Sequence, residues 1–218
     1  MAKKKNITKD QIISHYMDYV LSHEKMPKTV YAFAKANNFE EQEFYKFYGS
    51  FEALDQDIFA AFFDNTLQVI TQSEDYADYD SRNQLLTFYY TFFEVLTANR
   101  SFVVFKLSQN KDHLKSLKSL IELKKRFTTF VDGLDIETID LKQEQLQKLQ
   151  ERGIKESAWF QLLVTLKFWM DDTSPSFEKT DLFIEKSVNA SFDLIDVAPL
   201  KSLIDLGKFL YKEKVHMN

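Results

Sequence analysis

The chain has 218 residues, 44% hydrophobic and 15% aromatic, with a formal net charge of -5 and no cysteine. That length buries a real core in one or two domains, and the lack of thiols excludes a disulfide framework and a thiolate zinc site. With 21 Phe against 4 Gly and 3 Pro, a many-turned β fold is excluded and long helices are favoured.

The opening MAKKKNITKD is charged with no apolar run behind it, so no secretory signal is expected. No stretch approaches the ~18 apolar residues of a membrane helix. A cysteine-free chain of this kind suits a reducing cytoplasm.

In chain order, residues 1–7 read as a basic arm. Thr8 and Gln11 form a capping box that starts a helix, with Ile12, Ile13, Tyr16, Met17 and Val20 at helical spacing. Pro27 closes this element. A short helix over 28–36 turns inward Val30, Phe33 and Ala34, and Asn37-Asn38 make a turn because Asn tolerates left-handed backbone. A second short helix covers about 40–47, and Ser50 caps a long one over about 51–72. After an acidic loop, SEDYADYDS, helices are expected over about 82–99, 101–109, 111–131, 138–151, 155–171, 177–195 and 199–214.

Three short helices joined by tight turns form a helix-turn-helix pattern. The segment TVYAFAKANNFEEQEFYKFYGSFEAL resembles the DNA-binding domain of the TetR family of bacterial regulators. Thr29, Val30, Phe33, Ala34, Phe39, Phe44, Tyr45, Tyr48, Ser50, Glu52 and Leu54 stand where that family's pattern falls, and the match spans about 45 residues at the N-terminus. FWMDDTSPSFEKTDLFIEKSV is similar to the family's closing interface region. The resemblance implies an all-α fold with a head over 1–50 and a helical ligand-binding and dimerisation body over 51–218. It implies DNA contacts by Lys28, Thr29, Gln42, Tyr45 and Lys46, backed by the lysines of the arm.

The departures concern charge. Glu40, Glu41 and Glu43 crowd the start of the reading helix, and Phe51 replaces the family's phosphate-binding lysine. Phe47 takes the place of a more polar ring, and no arginine precedes Arg82. Residues 1–60 hold eight lysines against nine carboxylates, where a DNA-binding module carries a basic footprint. Carboxylates at a helix N-terminus also have a plain structural use, complementing the dipole. The expectation is weak DNA affinity.

The body is rich in rings. Phe88, Phe92, Phe105, Phe127 and Phe130 either pack a bulky core or line an apolar pocket. The resemblance favours the pocket, filled by a small apolar or lipid-like effector. Trp159, Leu163, Leu166 and Met170 share one helical stripe, and Ile184, Val188 and Ile195 another. These stripes are expected to pair across a homodimer. Lys111, Lys115 and Lys118 form a basic row, which is usually a solvated face and otherwise suits an anionic lipid. Scattered histidines and the lack of a phosphate loop, nucleophile elbow or HExxH argue against an enzyme, a metal or a cofactor.

Two functions follow. The first is an effector-controlled transcriptional regulator acting as a dimer. The alternative keeps the fold and its hydrophobic ligand but has lost sequence-specific DNA binding; a lipid-binding protein of ubiquinone biosynthesis shares this fold.

Overall fold

A computed structural model of the chain describes residues 7–108, 117–136, 144–196 and 206. The described residues are all helix, turn and loop, with no strand. The helices are α1 (Lys9–His23), α2 (Val30–Ala36), α3 (Glu41–Tyr45), α4 (Phe51–Ile70), α5 (Ser81–Ala98), α6 (Arg100–Ser108), α7 (Ile121–Asp132), α8 (Glu144–Asp171) and α9 (Glu178–Asp196). Short 3-10 turns cover Glu74–Asp78 and Pro175–Phe177. Among the described residues the fold is all-α, as expected.

The chain forms two compact units. The first is residues 1–71 with 91–127, and the second is 72–90 with 128–218.

In the first unit, side-chain caps set the starts of α1, α2 and α4. Thr8 accepts from Gln11 N at 3.2 Å while Gln11 Oε1 accepts from Thr8 N at 3.1 Å, a complete capping box. Thr29 Oγ1 caps α2 through Ala32 N, and Ser50 Oγ caps α4 through Ala53 N. Between α2 and α3, Asn38 takes φ 58°, and Phe39 N donates to Ala34 O. This turn packs α2 and α3 against each other. Phe33 lies at its centre with ring contacts to Tyr16, Phe39, Phe44 and Phe51. Edge-to-face rings of this kind add about 0.5–1.5 kcal/mol per pair beyond burial. Ile12, Tyr16 and Val20 of α1 are buried with them.

In the second unit, α8 packs on α9. Asp172 ties their connection: it accepts from Ser174 N, Ser174 Oγ, Thr180 N and Thr180 Oγ1 at 2.7–2.9 Å. Ser176 and Phe177 both hold left-handed backbone, and the Phe177 ring lies 6.1 Å from the buried Trp169. Arg82 of α5 reaches Asn189 and Asp193 of α9 at 3.2 and 2.7 Å.

The elements follow the expected order, with two differences: a turn at Ser119 and Leu120 interrupts the helix expected over 111–131, and two other expected helices are continuous. The helices expected over 138–151 and 155–171 are one helix, α8, running through Gly153. A lone glycine costs a helix about 1 kcal/mol relative to alanine and does not end it. The helix expected over 111–131 is described as α7 from Ile121, while 109–116 lie outside the described residues. The arm up to residue 6 and the helix expected over 199–214 also lie outside them, apart from Leu206.

Candidate functional site

The head presents α3 and its flanks. Lys28, Thr29, Gln42, Tyr45 and Lys46 are all exposed. Lys28 and Thr29 stand at the entry to α2, and the Thr29 hydroxyl is engaged as its cap. Gln42 and Tyr45 lie on α3, and Lys46 follows it.

The glutamates act within the helix itself. Glu43 is buried and its Oε1 accepts from Lys46 Nζ at 2.6 Å. Glu41 accepts from the Tyr45 hydroxyl at 3.4 Å. Two of the five expected DNA-contacting side chains are therefore held by carboxylates of their own helix. Phe51 stacks on Tyr16 at 5.5 Å and 13°, so the position of a phosphate-binding cation belongs to the aromatic core. Tyr31, Tyr45 and Phe47 remain as exposed rings, at 59, 52 and 42%.

A second constellation in the first unit was not singled out from the sequence. Lys106 of α6 and Asp55 of α4 form an ion pair at 2.7 Å with both side chains almost wholly buried. The Tyr16 hydroxyl donates to Asp55 Oδ1 at 2.8 Å, and Met26 Sδ lies 3.0 Å from Lys106 Nζ. Burial pushes the Asp55 carboxyl up against the pull of the Lys106 ammonium. Burial, and then the Asp55 carboxylate, push the Tyr16 phenol well above its ordinary value. The sequence signal was one charge on each of two apolar stripes: Asp55 beside Leu54 and Ile58, and Lys106 among Phe102, Val103 and Leu107.

Phe88, Phe92 and Phe127 are fully buried, while Phe105 and Phe130 are half-buried; Phe92, Phe105 and Phe127 belong to the first unit and Phe88 and Phe130 to the second. The second unit brings Phe88 and Phe130 together at 4.8 Å. In the first unit, Phe92 meets Phe93 edge-on. A separate groove of about 360 Å³ in the second unit is lined by Val131, Leu134, Ile136 and Ile154 with Asp132, Gln147, Glu151 and Lys155. None of the five phenylalanines lines it. Tyr89, a fully buried ring, has its phenol pushed up by burial.

The stripes expected to meet a second copy lie elsewhere. Trp159, Leu166, Ile184 and Val188 are buried in the chain's own fold, and Leu163 and Met170 are half-buried. The outward apolar row of α8 is Phe160, Val164 and Phe168, at 67, 38 and 37% exposure, and Phe168 stacks on Phe183 of α9 at 4.6 Å. Leu182 and Leu194 are exposed on α9. The physical reason is that α8 is apolar on two adjoining faces, and a period of four fits both. Periodicity finds the stripes without saying which one the chain covers itself. The side chain of Ile195 lies outside the described residues.

Lys111 and Lys115 also lie outside them, and Lys118 is exposed with its carbonyl accepting from Gln56. Among the described residues no group of His, Cys, Asp or Glu could hold a metal ion. Nor is any described helix long and apolar enough to cross a membrane.

No curated protein matches the chain. A family model described as "Tetracyclin repressor-like, C-terminal domain" matches residues 84–210, the region of α5 to α9 and beyond. That match covers more than half of the 218 residues, and the chain belongs to the tetracyclin repressor-like (TetR) family.

Proposed function

We propose that the chain is a cytoplasmic, homodimeric transcriptional regulator whose weak DNA affinity is controlled by a small apolar effector. The observation that carries this reading is the family match over residues 84–210. The α2–turn–α3 arrangement, with Gln42 and Tyr45 exposed on α3, supports it at the other end of the chain. The Phe88–Phe130 ring pair supports an apolar effector contact in the second unit. The outward row Phe160, Val164 and Phe168 is the surface offered to a second copy. Effector binding shifts the population of dimers whose heads fit two half-sites.

The second reading is a TetR-family ligand-binding protein that no longer reads DNA. The Glu43–Lys46 pair and the inward Phe51 favour it. Retention of the full chain on duplexes from its own upstream region, at low and physiological salt, separates the two. Salt-sensitive retention with a preferred sequence supports the regulator. No retention on any duplex at low salt, with an apolar molecule still bound, supports the second reading.

A further inference from the structure

We infer that the buried Asp55–Lys106–Tyr16 cluster is a register lock that makes α6 and the head open and close together. The inference does not depend on whether the head reads DNA.

Lysine is almost never fully buried unless paired. Each proton of the Lys106 ammonium has an acceptor within reach: Asp55 Oδ2 at 2.7 Å, Met26 Sδ at 3.0 Å and Tyr16 Oη at 3.4 Å. The ammonium also lies 5.9 Å from the Tyr16 ring centroid. The carboxylate of Asp55 is matched in turn, with Tyr16 on one oxygen and Lys106 on the other. Hydrogen bonds from its own backbone and from Ser50 lower the Glu52 carboxyl at the start of α4, with the Lys106 ammonium as the smallest contribution.

Such a pair is a poor device for stability alone, since apolar residues of the same volume do as well or better. What it adds is direction. A side chain packed by dispersion loses contact gradually as its helix moves. An ammonium drawn away from a buried carboxylate leaves an unpaired charge in an apolar core, which is strongly disfavoured. Helix α6 therefore has two acceptable conditions: in register with Asp55 covered, or displaced with the core open so that water reaches Asp55.

The cluster also determines what opens. It joins α1 through Tyr16, the connection into α2 through Met26, α4 through Asp55, and α6 through Lys106. Phe102, the residue of α6 one turn before Lys106, meets the rings of Tyr16 and Phe59. Movement of α6 is thus felt at both the first helix of the head and the entry to its helix pair.

Hydrogen exchange read by mass spectrometry on the full chain tests the lock. In wild type, peptides from α1 and α6 should exchange with a common opening constant. Lys106→Met should speed exchange in α1 to α3 at least tenfold and leave α9 unchanged. Asp55→Asn with Lys106→Met removes both charges; α1 should return to within threefold of wild type but no longer open in step with α6. Tyr16→Phe, which keeps the ring, should speed α1 and α6 by the same factor. Unchanged α1 exchange in Lys106→Met overturns the lock. So does a double variant in which α1 and α6 still open together, because apolar packing would then be the link.

Discussion

Lys46 Nζ rests 2.6 Å from Glu43 Oε1, three residues back on the same helical turn, with the glutamate largely buried and the lysine exposed. The cation that follows α3 is thus paired within its own turn. Glu43→Gln should release it. Because one more phosphate contact adds about 0.9 to the slope of log affinity against log salt, the variant should bind duplex DNA more tightly at low salt with a slope steeper by about one. Filter binding across a salt series measures this. An unchanged slope would show that Lys46 never approaches the backbone.

The outward row of α8 and the buried stripe of α9 predict opposite results for the same chemical change. Phe160→Glu places a charge where the ring was already 67% exposed, so the fold should survive and the dimer should part. Val188→Glu buries a carboxylate at a position with no exposure, which should unfold the body. Sedimentation velocity with circular dichroism reads both. A Phe160→Glu protein that remains dimeric would remove this row from the interface.

Phe130 is half-buried against the fully buried Phe88. Phe88→Ala should cost about 3–5 kcal/mol, as for a large core ring, whether or not a ligand is present. Phe130→Ala should cost less and should lower the amount of any apolar molecule carried from expression. Mass spectrometry of denatured, purified protein gives the occupancy. Equal occupancy in wild type and Phe130→Ala would place the ligand elsewhere.

Asp172 gives the body an acid-sensitive joint. Burial raises its carboxyl, but the bonds from Ser174 and Thr180 outweigh that and hold it at about 2, below the ordinary 3.8. A carboxyl lowered in the folded state contributes stability that is full above the unfolded value and fades as pH falls through the folded one. Asp172→Ala should lose about 1–2 kcal/mol at neutral pH, the scale of a lost helix cap. The difference between the two proteins should close between about pH 4 and pH 2. Urea melts at several pH values test it; a constant difference would mean that the charge is not what matters.

Gly153 lies inside α8, and a Cβ built on it meets nothing within 4 Å. Gly153→Ala should therefore raise stability by about 0.5–1 kcal/mol through helix propensity alone. A lower melting temperature would indicate that this turn of α8 needs glycine for another reason.

The head was legible because its instructions are local. Thr8 with Gln11, Thr29, the Asn37-Asn38 pair and Ser50 each act within four residues, and each does what its chemistry predicts. The body was legible only as periodicity. The expected boundary between 151 and 155 is absent from α8, because composition carries no information about how well a long helix is packed. Trp159 and Phe160 are neighbours in sequence and differ only in which side the rest of the chain covers. The Lys106–Asp55 pair joins positions 51 apart in sequence. A separation of that length has no period, so the two charges could be seen only as exceptions on their own stripes.

Both tryptophans of the chain, Trp159 and Trp169, stand on α8 in the second unit, while the first unit has a core of phenylalanine and tyrosine. The molecule consequently carries two separate optical signals. Indole emission on excitation near the red edge of absorption reports the α8–α9 hairpin alone. Tyrosine ellipticity in the near ultraviolet draws on both units, since the ten tyrosines divide equally between them. Denaturation followed at both wavelengths shows directly whether the two halves come apart in a single transition, with no label added.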